Sequence, residues 1–440
     1  MKRIFGDYAY TDGPRATCWW DETIPLPDWP ALQGHVKTDV LVIGAGFTGL
    51  NAALHLAEQG VSVTVVDARY PGWGASGRNG GFCCLGGARR SHASLSAEFG
   101  ADAADAYFRT ERDAIDHVGA LLDRHRIDAD RHSDGETLLA HRKRGFDKLK
   151  READQIAAEG WGDTELTRPE DLPRIGMGGP FHGALTVRTG FALNPRKYVL
   201  GLAAAAADTG AAIYAHSPVE RLERKGSGRH ATTPGGTVEA DTVLLATNGY
   251  SSEDLPKWLA NRYMPAQSTV LVTRPLTEEE RAAQGWTSLQ MSYDTRRLLH
   301  YFRLMPDGRF LFGMRGGIFS SPGAEARARA ATRADFEKMF PAWAHVPSDH
   351  SWSGFVCLAR RLMPFVGPVP GNPGMFAAMA YHGNGVAMGS WSGHLMARQV
   401  LGHANDTPAP LRRPLARFPF GGSRRVVMPF AYATYALSDL

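Results

Sequence analysis

Cysteine is scarce. The chain has four in 440 residues: Cys83 and Cys84 are adjacent, and Cys18 and Cys357 stand alone. No CxxC pair occurs, so a zinc ribbon, a thioredoxin-type motif and a disulfide scaffold are excluded, and no metal site is expected. Long apolar runs are equally few. Val40 to Leu54 is too short to cross a bilayer and carries three glycines. Leu362 to Ala397 is long enough but is broken throughout by Pro, Gly, Asn and His. Lys2 and Arg3 are not followed by an apolar segment, so no secretory signal is expected and a reducing cytoplasm is the expected compartment. Strong charge of one sign is also missing. A formal net charge of +4 over 440 residues is a weak field and does not by itself argue for nucleic acid.

What is present is a globular balance. Hydrophobic residues make up 43% and charged residues 21%, enough to bury a core and to rule out global disorder. The length suits two domains. Glycine is frequent, at 49 residues, so many backbone positions are free for close approach.

Residues 1–34 are rich in Trp and Pro and aperiodic, which predicts an extended arm on the body. Asp39-Val-Leu-Val-Ile43 reads as a buried strand, Phe47 to Gln59 as a helix stopped by Gly60, and Val61 to Val66 as a second strand. That order and length make a βαβ unit. Helical spacing recurs over 100–126 (Ile115, Val118, Leu122) and 142–159 (Phe146, Leu149, Ala153, Ile156). Asn194-Pro195 opens another helix. Val243 to Ala246 reads as a buried strand, and 265–317 as short strands with a hairpin at Pro306-Asp307-Gly308. Met375 to Tyr381 is a late apolar strand, followed by a Gly turn and a helix over about Val386 to Leu401. The last 35 residues, rich in Pro, Arg and aromatics, read as a wrapping tail.

Four constellations carry chemistry. The first is Gly44-x-Gly46-x-x-Gly49 between strand and helix, with Asp67 ending the next strand 18 residues after the third glycine. Gly44 allows a tight turn, Gly46 lets backbone approach a pyrophosphate, and Gly49 lets helix and strand pack closely. The helix N-terminus, with Phe47 and Thr48, offers free N–H groups, and Asp67 can accept from ribose hydroxyls. This points to a dinucleotide without deciding between NAD and FAD. The second is the loop Gly72-Trp-Gly-Ala-Ser-Gly-Arg-Asn-Gly-Gly81, able to lay N–H groups against a flat ring and a phosphate together. The third is Ala246-Thr-Asn-Gly-Tyr250 at a strand's C-terminal end, where ligands bind in α/β sheets. The fourth is Gly383-Asn384-Gly385-Val386 between strand and helix. It has no second βαβ partner and no acid at the right distance, so it is not a second nucleotide site. Its helix end suits the pyrimidine edge of a flavin, where negative charge gathers on reduction.

Together these pieces resemble the FAD-dependent D-amino-acid oxidase superfamily, which includes glycine oxidase, monomeric sarcosine oxidase and, most similar, γ-glutamylputrescine oxidase-like flavoproteins. The resemblance covers nearly the whole chain, including the Trp-rich arm, Gly74 to Gly81, Ala246-Thr-Asn-Gly, Trp352-x-Gly354 and the C-terminal tail. It implies FAD and hydride transfer from an amine or amino acid to flavin N5; the FAD is expected to be non-covalent because Cys357 lies off the position where the sarcosine-oxidase branch attaches its flavin. The resulting imine hydrolyses, and oxygen is the expected acceptor. It also implies a set of cofactor neighbours: Gly44, Gly46, Phe47, Thr48, Gly49, Asp67, Ala68, Ala75, Ser76, Arg78, Asn79, Gly80, Gly81, Val219, Thr247, Asn248, Gly383, Asn384, Gly385 and Val386. The expected class is α/β, α+β overall: a doubly wound Rossmann-like FAD domain (35–90, 188–252, 350–405) interleaved with a mostly antiparallel substrate domain (91–187, 253–349). An arm (1–34) and a tail (406–440) flank them.

Two departures bear on the substrate. Relatives carry an Asp where Arg361 stands, nine residues after Trp352, and they read Gly-His-Gly where this chain has Gly383-Asn384-Gly385 with His382 two residues earlier. Charge reversal at Arg361 predicts a substrate less cationic than a polyamine conjugate. In the sarcosine-oxidase branch a Lys on one strand helps oxygen react; the matching Phe310-Leu311-Phe312 has none. Cys357 is the one thiol near the branch's flavin-attachment position, and it reads as a small buried apolar residue. Tyr301 is a candidate aromatic wall, and Arg303 and Arg315 are candidate carboxylate partners, with Arg361 and His382 as further substrate-site candidates. Two rivals remain open. One is a flavoprotein acting on a tRNA base, suggested by the basic run His141-Arg-Lys-Arg144. The other is a flavin subunit of a multi-chain dehydrogenase.

Overall fold

A computed structural model describes residues 1–159, 162–226, 228–315, 317–403 and 406–439. Two eight-stranded sheets dominate it. In the first, strand Gly34–Ile43 lies between Gly236–Leu245 and Val63–Val66, parallel to both. Ala212–Tyr214 extends it in parallel on one side; Met375–Met379 extends it in parallel on the other, and Phe365–Pro368 closes that edge antiparallel. Alternation along the central strand explains its burial. Val40 and Val42 enter one core and Leu41 and Ile43 another, so both faces are covered. Helices Phe47–Glu58, Pro195–Asp208 and Ala387–Val400 supply the first cover. The hairpin Arg221–Lys225/Gly228–Thr232, with Leu259 and Tyr263, supplies the second. Asn194 caps its helix as the sequence predicts: its Oδ1 accepts from the amides of Arg196 (3.1 Å) and Lys197 (3.2 Å).

The second sheet runs, edge to edge, His350–Ala359, Tyr263–Pro275, Arg309–Arg315, His300–Leu304, Met291–Asp294, Glu136–Leu139, Ala184–Val187, Thr164–Thr167. All pairings are antiparallel except Met291–Asp294 with Glu136–Leu139. One face sits on an aromatic core: Phe302, Phe310, Phe312, Trp286, Phe336, Phe340 and Trp343 are buried together. Rings there meet edge-on and stacked, as Trp286 on Phe310 (5.9 Å) and Phe302 on Phe312 (6.0 Å) show. That core covers one face of the sheet; the other packs in part against Cys18 and Trp20 of the arm and in part lines a cavity.

Several sequence expectations shift. The expected boundary at 350 puts His350–Ala359 with the FAD domain, yet it pairs along its whole length with Tyr263–Pro275 and belongs to the second sheet. Helix Ala101–Arg124 was placed with the substrate domain, but Ile115, Val118 and Leu122 bury against the helices of the first sheet. The boundary at 405 lies outside the described residues. A short helix, Glu278–Gln284, interrupts the strand-rich 265–317 stretch; Thr277 and Glu280 form its capping box. Helix Pro322–Met339 opens on Ser321 as N-cap, and the tail carries helix Met428–Asp439. Among the described residues, no helix is long and apolar enough to cross a membrane, and no His/Cys/Asp/Glu group has a metal-binding arrangement.

Candidate active site

A cavity of about 400 Å³ runs from the glycine turn of the first sheet to the other face of the second. At its first end Gly44 adopts φ +105°, and a Cβ there would meet the Ala246 carbonyl at 2.9 Å. A Cβ on Gly49 would lie 1.9 Å from the Gly44 oxygen, so only glycine lets the helix come this close. The Asp67 carboxylate accepts from the Ala45 amide (2.8 Å) and the Arg69 amide (2.8 Å), and it also lines the cavity. Phe47 donates its amide to Ser76 Oγ at 3.0 Å, which ties the helix start to the second glycine loop. Among the described residues no backbone–backbone bond outside the helix engages the amides of Gly46 and Thr48, the ordinary state of a helix start and one that leaves these donors available.

The second loop is self-braced. Asn79 donates to the carbonyls of Ala75 (3.1 Å) and Ser76 (2.9 Å) and accepts from the Gly81 amide (2.7 Å). Arg78 is buried, donates to the carbonyls of Trp73 and Ser353, and lies over the Trp73 ring at 4.5 Å. Among the described residues it has no carboxylate partner, and burial holds its pKa below the usual arginine value. Asn248 accepts the Ala380 amide at 2.9 Å, and Thr247, Ala68 and Val219 line the same wall. At the far rim His382, Gly383, Asn384, Gly385 and Val386 pass along the cavity. Asn384 Nδ2 donates to the Cys84 carbonyl (2.6 Å), and its buried Oδ1 has no partner.

Of the expected cofactor neighbours, Gly49 and Gly81 serve from behind the wall. They allow close backbone packing, Gly81 against the Leu193 carbonyl, and do not line the cavity. The others all line it.

The substrate candidates divide. Tyr301 lines the cavity and lies flat across the sheet: a Cβ on Gly313 would fall 2.2 Å from its Cζ, and one on Gly80 would fall 2.9 Å from its Cε2. Its hydroxyl meets Ser268 Oγ at 3.0 Å. Arg315 also lines the cavity. Its Nη2 donates to the His382 carbonyl (2.5 Å), and it crosses Gly383, where any Cβ would stand 2.4 Å away. Burial, with Arg89 beside it, lowers Arg315 to about 9, and among the described residues it has no ion-pair partner. His382 lines the cavity as a neutral ring: Nδ1 donates to Gly87 (2.7 Å), Nε2 accepts from the Ala359 amide (3.1 Å), and burial lowers it to about 4. It is a backbone brace.

Arg303 and Arg361 are corrections. Arg303 is sealed behind the wall, donating to the Leu193 carbonyl (2.8 Å) and bonded to His132 Nε2 (3.0 Å), with Trp20 and Phe82 over it. Arg361 is exposed and donates to the Pro414 carbonyl at 3.3 Å, away from the cavity. The substrate argument from charge reversal at that position therefore falls. Cys357 lines the cavity as a buried thiol that burial pushes up to about 12. The sequence reading missed Glu136, Arg89, Tyr293 and Tyr381, which line the cavity too. A lone Glu opening the apolar strand Glu136-Thr-Leu-Leu139 was the available signal.

A dinucleotide turn, a braced glycine loop and an unpartnered Asn384 oxygen on one wall fit a dinucleotide with a flat ring. The comparisons decide which. The family described as FAD dependent oxidoreductase (DAO) matches residues 39–399. This chain belongs to that family. Among its relatives is the "Probable oxidoreductase OrdL" of Rhizobium meliloti (strain 1021), 32% identical over 427 residues, covering 96% of this chain and 97% of that protein. Another is the gamma-glutamylputrescine oxidoreductase of Escherichia coli (strain K12), 29% identical over 420 residues, 93% and 94% covered. In fold, the glycine oxidase of Geobacillus kaustophilus is similar with a TM-score of 0.71 at 20% identity, covering 87% of this chain and all of that one. The cofactor of an FAD-dependent oxidoreductase is FAD, and the loops at 44–49 and 74–81 are the groups that would hold it here.

Proposed function

We propose that this FAD-dependent oxidoreductase oxidises the C–N bond of an amine or amino acid and passes the electrons to oxygen. The observation that carries the reading is the facing of two surfaces. The braced loop 74–81 stands against a sheet face bearing Tyr301 and Arg315, with Gly80 in van der Waals reach of the Tyr301 ring. The bound flavin supplies an acceptor at N5 for a hydride from the carbon beside nitrogen. The chain's own residues do the rest. Tyr301, locked between Gly80 and Gly313, forms an aromatic wall that excludes water and fixes the approach of the substrate carbon. Arg315, already held by the His382 carbonyl, orients an anionic group by charge-assisted hydrogen bonds. The substrate imine then hydrolyses to a carbonyl compound. The relatives named for glycine and for gamma-glutamylputrescine support nitrogen substrates. Non-covalent attachment of the flavin is part of this reading: Cys84 and Cys357, the thiols that line the cavity among the described residues, are both raised by burial, which disfavours the thiolate a covalent link would need.

Product balance tests this. With the purified enzyme in air, one carbonyl product and one ammonia or amine should appear per substrate consumed, with one hydrogen peroxide. Heat should release all the yellow colour into the supernatant. A carbonyl product formed with the nitrogen retained would contradict the reaction, and colour left on the precipitated chain would contradict the mode of attachment.

A further inference from the structure

The family match begins at residue 39, so it leaves the Trp- and Pro-rich arm without a role. The arm touches both sheets. Beside the first, the Tyr10 carbonyl accepts from Arg69 Nη2 (3.1 Å), two residues past Asp67, and the Lys2 amide donates to Asp254 (2.7 Å) in the loop that follows Asn248. On the second, Phe5 stacks on Phe355 (4.8 Å) and Thr17 Oγ1 donates to the Ser351 carbonyl (2.6 Å). The arm also backs the second glycine loop. Asp12 Oδ1 accepts from Trp73 Nε1 (2.6 Å), Arg15 Nη1 donates to the Trp73 carbonyl (2.9 Å), and Trp20 Nε1 donates to the Asn79 carbonyl (2.8 Å). Trp73 and Asn79 both line the cavity. At the dinucleotide end the arm is itself part of the wall: Arg3 and Tyr10 line the cavity, with the Arg3 guanidinium over the Tyr10 ring at 4.3 Å. Arg3 is partly buried, and among the described residues it has no ion-pair partner. Asp67, the acid at this end, is already held by two turn amides, so the anion open to a guanidinium here is a phosphate of the cofactor.

We infer that the arm is a clasp on the cofactor: Asp12 and Trp20 hold the glycine loop in its binding shape, and Arg3 meets the phosphates of FAD. This rests on the family's FAD and not on the amine reading. The two contributions differ in kind. Arg3 acts by charge, so its share weakens as ionic strength rises. Asp12 acts by position. Without it Trp73 Nε1 loses its acceptor and the loop Gly72 to Gly81 loses a brace, whatever the salt. Bound FAD leaves only as these contacts let go, so its release rate reads both.

The test is the release of FAD from the purified holoenzyme after dilution, followed by the rise in fluorescence as flavin leaves the chain. At low salt Arg3→Ala should release FAD about tenfold faster or more, and Arg3→Lys, which keeps the charge, should recover most of the loss. Raising the ionic strength should speed release from the wild type and change it little in Arg3→Ala, so that the two rates converge. Asp12→Ala should release FAD several-fold faster at every salt concentration, while Asp12→Asn, which keeps an acceptor oxygen, should stay near the wild type. Should a variant purify without flavin, its dissociation constant for added FAD takes the place of the rate and should exceed the wild type's by the same factor. Release from Arg3→Ala at the wild-type rate, no recovery with lysine, or a difference that salt leaves undiminished would each overturn the phosphate contact. Release from Asp12→Ala at the wild-type rate would overturn the brace.

Discussion

A single methyl group decides much at the residue scale. Gly46 has no room for one: a Cβ would stand 2.8 Å from Ser76 Oγ, the acceptor that fixes the Phe47 amide. Gly46→Val should therefore abolish flavin binding, because the side chain both displaces Ser76 and occupies the approach to the pyrophosphate. Asp67→Ala should only weaken it. It removes ribose contacts worth on the order of 1.5–3 kcal/mol and loosens the Ala45 and Arg69 amides. Flavin retained per chain after gel filtration checks both. A fully loaded Gly46→Val protein would remove the basis for placing the dinucleotide at this turn.

These glycines and Asp67 were legible in the sequence because backbone sterics leave few alternatives at a strand–turn–helix corner. The substrate residues were legible only in part: Tyr301 and Arg315 line the cavity as the sequence suggests, whereas Arg303 and Arg361 do not. Arg303, Arg315 and Arg361 look alike in a sequence, yet one is sealed under Trp20, one crosses Gly383 and one reaches the Pro414 carbonyl outside. Glu136 gave only one local sign, its place at the head of an apolar strand. Its neighbours come from a parallel pairing with Met291–Asp294, far away in the chain, which no local pattern encodes.

At the scale of elements, periodic segments with their own caps were readable. The helices over Ala101–Arg124, Lys143–Ala158 and Pro195–Asp208 carry apolar stripes or an Asn-Pro start. Partnership was harder. Ala101–Arg124 has a stripe that says it packs but not on what, and it chose the helices of the first sheet. His350–Ala359 alternates buried and part-buried residues, as either sheet would require; its antiparallel register with Tyr263–Pro275 decided its place. Helix Glu278–Gln284 buries no residue and so has no stripe to read, and it went unread within the strand-rich 265–317 stretch. The basic helix Lys143–Ala158 turns Leu149 inward on Leu185 and Val187, which leaves its charges on the outer side and gives no support to a phosphate-tracking role.

For the whole molecule, two buried acids make stability depend on pH. Burial raises Glu136 to about 8 and Glu111 to about 7, both above the ordinary glutamate value. Between those limits the folded chain holds protons that the unfolded chain has released. Stability therefore falls as pH rises through this window and levels off above it. The buried histidines His117, His132 and His382, each lowered to about 4, act the other way at acid pH, so the decline should show cleanly from about pH 6.5 to 8. Urea midpoints across that range should drop for the wild type and drop less for Glu136→Gln; midpoints that climb would contradict the buried acids.

The central claim is that this cavity brings an amine to a flavin. Anaerobic mixing of the purified enzyme with amines, and with hydroxy analogues that carry oxygen in place of nitrogen, tests it most directly. The visible flavin band should bleach with an amine and stay unchanged with its hydroxy analogue. Bleaching by the hydroxy compound alone, or a purified protein that carries no flavin band, would contradict the account.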